Sequence, residues 1–151
     1  MLAELTSAEI EAFLATQLTA RLGCHAEGQT YVVPISYAYD GTSIISHSVE
    51  GRKLRMLRLN PEVCLEFDHV ENLGNWQCVI AWGRFEELQG EGALQAARTL
   101  LERFGPFMTS KASQPTHGIP NLPSHTSRAI FYRIRIHSKT GRFEKQLPLD
   151  A

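Results

Sequence analysis

The sequence predicts a mainly β protein, an antiparallel β-barrel with short helices added to it. Roughly six segments either alternate apolar with polar residues or are rich in β-branched and aromatic residues, as strands are. Most of them follow one another through short turns, and Asp40-Gly41 is a strong signal for a tight hairpin. Strands in hairpin order pair antiparallel, so a sheet that closes on itself is the expected fold.

The size and charge of the chain indicate one domain without a polyanionic partner. It has 151 residues, of which 43% are hydrophobic, and a formal net charge of −1. We expect a single domain over residues 1–151, with tails at 1–5 and 143–151. The near-neutral charge disfavours nucleic acid, and no apolar run is long enough for a membrane span, so we expect a cytoplasmic protein.

The cysteines predict neither a disulfide framework nor a zinc site. Cys24, Cys64 and Cys78 are odd in number and form no Cys-x-x-Cys pair. We therefore expect reduced, structural thiols and no metal.

The first half of the chain has the pattern of a capped helix followed by strands. Thr6 and Glu9 form a capping box that opens the helix. Pro34 lacks a backbone donor, which predicts a sheet edge or an opening at its strand. The strands predicted in this half are Leu22 to His25, Gln29 to Tyr39 and Ser43 to Ser48.

The second half adds further strands and two helices. One helix runs from Arg52 to Leu59 and ends at Asn60-Pro61, and the other ends at Phe104 with Gly105 as its C-cap. Gly83 predicts a bulge or bend within its strand. The strands predicted in this half are Glu62 to Val70, Trp76 to Leu88 and Ile130 to Ile136.

Two irregular segments complete the chain. Met108 to Ser127 is rich in Ser, Thr, Pro and Gly and is too long for an ordinary connection, which predicts a lid or a partner-contacting loop. Thr140-Gly141-Arg142 is expected to form a turn after the last strand.

A basic pair predicts an anion site. Arg52 and Lys53 occupy the first turn of their helix, where positive charge opposes the helix macrodipole. A bound phosphate would offset this by accepting hydrogen bonds from Ser46, Ser48, the first helical amides and both basic side chains. The alternative is that Glu50 neutralises one charge and water solvates the other.

Five short motifs follow one another in a fixed order along the chain. They are Tyr31-Val-Val-Pro-Ile-Ser-Tyr-Ala-Tyr39, Ser46-His-Ser48, Gly51-Arg-Lys-Leu54, Asn60-Pro61 and Val79-Ile-Ala-Trp-Gly-Arg84. This ordered set resembles the FMN-binding split barrel of the pyridoxamine 5′-phosphate oxidase-like superfamily, and more closely its nitroimidazole-resistance (Nim-type) branch. The resemblance runs from about Leu5 to Arg142.

The resemblance implies a homodimer with FMN in each of two grooves between the chains. It implies that Ser46 and His47 lie near the phosphate and ribityl chain, and that Arg52 and Lys53 bind the phosphate. The residues that it places along the isoalloxazine ring are Tyr31, Val32, Val33, Pro34, Ile35 and Ser36.

The sequence also departs from the pattern of the true oxidases. Those enzymes have an Arg near the position of Tyr31 and a Gln at the position of Cys78, and their C-terminal Arg-His ending is absent here. Pyridoxamine phosphate oxidation is therefore not expected.

The expected function is an FMN-dependent oxidoreductase that uses NAD(P)H to reduce a small aromatic acceptor, nitroaromatic or quinone-like. His47 is the candidate catalytic residue because an imidazole can protonate a substrate near neutral pH, although it could equally be a hydrogen-bonded residue at a strand end. Two alternatives stay open. One is a haem-binding or haem-degrading protein with His47, His117 or His125 as ligand, and the other is a non-catalytic flavin sensor or carrier.

Overall fold

A computed structural model of the chain describes residues 1–107 and 129–148, which contain eight strands and three α-helices. The predicted loop from Met108 to Ser127 lies outside the described residues. In chain order the elements are β1 (Leu2–Glu4), α1 (Ser7–Thr16), β2 (Thr19–Ala26), β3 (Gln29–Ser36), β4 (Ala38–Tyr39), β5 (Ser43–Ser48), α2 (Arg52–Leu59), β6 (Glu62–Asn72), β7 (Asn75–Glu87), α3 (Gly90–Phe104), a 3-10 helix (Gly105–Phe107) and β8 (Ile130–Glu144).

The strands form one antiparallel sheet. Its order is β3-β2-β6-β7-β8-β5-β4, with β1 added to β8. The expected mainly β, antiparallel fold is confirmed, and the arrangement is that of a split barrel. No helix among the described residues is both long enough and apolar enough to cross a membrane.

The split in the barrel lies between the two ends of the sheet. The strand predicted from Gln29 to Tyr39 is divided at Tyr37, because β3 pairs with β2 whereas β4 pairs with β5. Tyr37 is fully buried, and its hydroxyl donates to the carbonyl of Leu14 at 2.6 Å. The two ends meet where the Ser46 hydroxyl donates to the Ser36 carbonyl at 2.7 Å.

The capping box predicted for α1 is confirmed. The Thr6 hydroxyl accepts from the Glu9 amide, and the Glu9 carboxylate accepts from the Thr6 amide. Ile10, Phe13 and Leu14 form the buried face of α1. Their contact with the sheet encloses the main core on the inner face of the barrel.

The predicted tails are wrong where they overlap a strand pair. Leu2–Glu4 pairs with residues 142–144 at the end of β8, so neither segment is a free tail. The turn predicted at Thr140-Gly141-Arg142 is also wrong, because β8 continues through it. A Cβ on Gly141 would lie 2.9 Å from side-chain carbons of Leu5 and Ile10, so this glycine permits close packing on the strand.

The two other glycine predictions are confirmed. The bulge at Gly83 is confirmed by a register shift between Trp82 and Gly83 in the pairing with β8. Gly105 is confirmed as the C-cap of α3, with its amide donating to the Leu101 carbonyl, although its φ of −48° is right-handed and the chain continues into the 3-10 helix.

Candidate functional site

The basic pair lies at the start of a helix that no side chain caps in the part of the chain that the structure describes. Gly51 precedes α2 in an extended conformation, and it has no side chain with which to accept from the first amides. The first turn of α2 contains no acidic residue. The amides at this end therefore remain available to an anion, and Arg52 and Lys53 add positive charge beside them.

Glu50 does not neutralise the basic pair. Its carboxylate binds Arg58 through two hydrogen bonds of 2.9 and 2.7 Å, and Arg58 also binds Glu87 at 2.9 Å. Within the described residues, neither Arg52 nor Lys53 forms a salt bridge. The alternative that assigned Glu50 to this pair is therefore wrong.

Lys53 points into the barrel rather than into water. It is half-buried, and its Nζ lies 6.0 Å from the centre of the fully buried ring of Tyr132. Burial lowers the pKa of Lys53, and the nearby Cys24 opposes that shift. A cation held in this position without an acidic partner favours binding of an anion.

Arg52 lies on the exposed side of the same site. Its guanidinium carbon is 5.7 Å from the centre of the Tyr31 ring, a cation–π arrangement that orients the side chain. Tyr31 belongs to β3, so the two basic residues connect the start of α2 to the edge of the split.

The residues predicted to run beside an isoalloxazine ring lie on an end strand of the sheet. β3 pairs with β2 alone among the described strands, which leaves its other edge open. Tyr31, Val33 and Ile35 face the core, whereas Val32 and Pro34 are exposed. The edge position of Pro34 agrees with the expectation from its missing N–H.

The predicted residues on β5 are separated by the pleat of the strand. Ser46 pairs with Tyr132 and faces the core, whereas His47 pairs with Phe131 on the opposite face. The Ser46 hydroxyl is buried and donates to Ser36, so it is not free to donate to a phosphate. Ser48 donates to the carbonyl of Val49 at 3.0 Å.

The structure adds residues that the sequence did not assign to the site. Tyr132 and Cys24 lie beside Lys53 because β8 and β2 are brought there by long-range pairing, and no local sequence signal marks that contact. Arg55 shares a cavity of about 320 Å³ with Arg52. The spacing of three residues on one helix was a signal for Arg55 that was overlooked.

Two solved structures share this architecture across nearly the whole chain. A FAD-binding protein of Mesorhizobium loti is 28% identical and has a TM-score of 0.75, with 96% of this chain and 99% of that chain covered. A candidate 5-nitroimidazole antibiotic resistance protein of Bacteroides thetaiotaomicron is 19% identical with a TM-score of 0.69, covering 95% of this chain and 87% of that one. At that identity the second likeness shows the fold alone.

Sequence comparisons also find similarity across most of the chain. An uncharacterized protein of Rhizobium meliloti (strain 1021) is 30% identical over 138 residues, which are 89% of this chain and 89% of the relative. Residues 6–143 match the family described as pyridoxamine 5′-phosphate oxidase. With its split antiparallel barrel, the chain belongs to this family.

Proposed function

We propose that this chain is an FMN-binding oxidoreductase whose basic pair, Arg52 and Lys53, holds the cofactor phosphate. It would act as a homodimer and use NAD(P)H to reduce a small aromatic acceptor, nitroaromatic or quinone-like. The observation that carries the proposal is the uncompensated basic pair at the uncapped start of α2.

The chemistry of the site fits a phosphate monoester. Two cations and the free amides of the first helical turn lie at the start of α2, where Arg52 also contacts Tyr31 of the edge strand β3. Charge-assisted hydrogen bonds from such donors are each worth roughly 1.5–3 kcal/mol. Binding would also offset the desolvation penalty on the charged form of Lys53, because the phosphate places a negative charge beside it.

FMN and FAD both remain compatible with the phosphate contacts. The Mesorhizobium loti relative is described as FAD-binding, and a diphosphate could meet the same donors. We favour FMN because its terminal phosphate can receive both basic side chains and the helix amides without a further group to accommodate. Parallel titrations with the two cofactors distinguish them.

The open side of β3 supports a dimer. A flat cofactor at this edge would have the backbone of Tyr31 to Ser36 on one side only, since no other described strand pairs there. A second copy of the chain could supply the opposite wall. Sedimentation equilibrium should therefore give twice the chain mass of 16.9 kDa.

A bound flavin would supply the redox step, taking hydride from a reduced nicotinamide and passing it to the acceptor. The residues of the chain would position the flavin and set the electrostatic environment around it. Arg52 and Lys53 fix the phosphate end, and the ring of Tyr31 holds the Arg52 guanidinium in place. The edge of β3 offers backbone groups to the isoalloxazine ring.

His47 remains our candidate for proton transfer. Its ring lies 6.0 Å from that of Phe131, on the face opposite to Ser46. A His47→Gln variant should keep its FMN affinity and lose turnover if the imidazole serves the reaction. A lower melting temperature with unchanged turnover per bound flavin would instead assign His47 to packing.

The first test is the visible spectrum of the purified protein before and after addition of FMN, followed by NAD(P)H under anaerobic conditions. Flavin fluorescence should be quenched at one FMN per chain, and NAD(P)H should then bleach the flavin absorbance. A Soret band without FMN binding would overturn the proposal in favour of haem. Binding without bleaching would leave a flavin carrier or sensor.

A further inference from the structure

Arg58, in the last turn of α2, joins the loop before that helix to the end of β7. Its Nη1 and Nη2 donate to the two carboxylate oxygens of Glu50 at 2.9 and 2.7 Å. Its Nε and Nη2 donate to the carboxylate of Glu87, the last residue of β7, at 3.2 and 2.9 Å. These charge-assisted hydrogen bonds hold both glutamates in a defined geometry.

The contacts of Arg58 do more for the charge at the start of α2 than for the stability of the fold. The side chain of Glu50 is 60% exposed, and ion pairs so open to water stabilise a fold only weakly. Both oxygens of Glu50 nevertheless accept from Arg58, and no side chain in the described part of the chain caps α2. The carboxylate nearest in sequence to the basic pair is thereby kept from capping the helix.

Without Arg58, Glu50 would be attracted to the same donors as a phosphate. It directly precedes Gly51, whose carbonyl accepts from the Arg55 amide at 3.1 Å in the first turn of α2. The helix macrodipole and the uncapped amides favour a negative charge there. Hydrogen bonds from Arg58, and then the charges of Arg58 and Arg55, lower the pKa of Glu50, so its carboxylate is ionised at neutral pH. Residues 49–52 are all exposed, so it is Arg58 rather than packing that fixes this side chain.

We propose that Arg58 is a positioning residue of the phosphate site, which holds the Glu50 carboxylate away from the amides of α2 and from the basic pair. The inference deepens the proposed function and rests on it, because the ligand that benefits is the cofactor phosphate. A released Glu50 would compete with that phosphate for the same amides and cations. FMN would then bind more weakly, whereas riboflavin, which has no phosphate, would bind as before.

A purely structural role for Arg58 makes a different prediction for Glu50. If Arg58 only anchored the loop before α2, removing either partner would loosen the loop, and removing both would restore nothing. If Arg58 restrains a competing carboxylate, removing that carboxylate is harmless by itself and also reverses the loss of Arg58. The two roles are therefore separated by the coupling between the two substitutions.

The test is fluorescence titration of the full chain with FMN and with riboflavin, which gives the ratio of the two affinities for each variant. Arg58→Gln should lower the preference for FMN about tenfold, as expected for one competing charge near the protein surface. Glu50→Gln alone and Glu50→Gln/Arg58→Gln together should both keep the preference of the wild type. Glu87→Gln is the matched control, because it removes the other partner of Arg58 and leaves Glu50 bound.

The outcomes separate this inference from the proposed function. A wild type that binds both ligands equally would overturn the phosphate site and the role of Arg58 with it. If the wild type prefers FMN, an unchanged preference in Arg58→Gln, or a loss that Glu50→Gln does not reverse, would overturn the role of Arg58 alone. Circular dichroism checks the fold of each variant. If Arg58→Gln does not fold, Arg58→Lys replaces it; this variant keeps the charge without the two-pronged geometry, so it should lose part of the preference and regain it with Glu50→Gln.

Discussion

Replacing Lys53 with Met should stabilise the flavin-free protein while weakening its binding of FMN. Methionine keeps the length and the apolar part of the side chain, so the contact with Tyr132 is retained. The substitution removes only the charge, which is partly buried without an acidic partner among residues 1–107 and 129–148. A residue kept for packing alone would not show this opposition between stability and binding.

The magnitude follows from the partial burial of Lys53. Because the folded chain lowers the pKa of Lys53, the unfolded chain holds the proton more tightly, and the charged form destabilises the fold below the folded-state pKa. For a half-buried group we discount this penalty to about 1 kcal/mol, which corresponds to a melting temperature about 2–4 °C higher for the variant. Loss of one charge-assisted hydrogen bond should weaken FMN binding by about 10- to 150-fold.

The assay compares thermal melts of the flavin-free proteins at pH 7 and at alkaline pH, with Lys145→Met as an exposed control. At pH 7 the Lys53 variant should melt above the wild type and the control should not. The difference should shrink as the pH rises towards the usual lysine pKa, because wild-type Lys53 then loses its charge. A lower melting temperature for the variant at pH 7 would refute the reasoning.

Two further predictions concern the stability of the fold. Hydrogen bonds from Arg133 and then Arg135 lower the pKa of Glu86 to about 2, so Glu86→Gln should destabilise the chain at pH 7. In acid titrations monitored by circular dichroism, the difference in stability between wild type and variant should disappear as the pH falls from the usual glutamate pKa to about 2. A difference that does not change with pH would count against the ion pairs of Glu86 with Arg133 and Arg135. Gly141→Ala should cost about 1–3 kcal/mol in urea unfolding, because its Cβ would press on Leu5 and Ile10. Gly105→Ala, whose Cβ would meet no described residue within 4 Å, should be neutral, and equal costs for the two would refute the packing argument.

The sequence alone correctly predicted the elements whose signals are local. The capping box of Thr6 and Glu9, the helix from Arg52 to Leu59 and the bulge at Gly83 all depend on residues close together in the chain. The ordered motifs were also sufficient for the family, because that resemblance is a property of the whole chain. The basic pair was found because cations are unfavourable at the start of a helix.

The features that the sequence missed depend on long-range pairing. Gly141 was interpreted as a turn because glycine is common in turns, whereas its role comes from packing against Leu5 and Ile10, more than a hundred residues earlier. The separation of Ser46 from His47 follows from which face of β5 meets the core, and their adjacency in sequence concealed it. A one-residue step on a strand always reverses the face.

The most direct test of the central claim is a binding cycle with two ligands and two proteins. FMN and riboflavin differ only in the phosphate. Fluorescence titrations of both ligands against the wild type and the double variant Arg52→Ala/Lys53→Ala therefore isolate the contact between the phosphate and the basic pair. Arg98→Ala, which removes an exposed cation from α3, is the matched control. The account predicts that the wild type and the control bind FMN at least about 100-fold more tightly than riboflavin. It also predicts that the double variant loses most of this preference and keeps only the part that the amides of α2 supply. A preference for FMN as large in the double variant as in the wild type would contradict the assignment of the phosphate to Arg52 and Lys53.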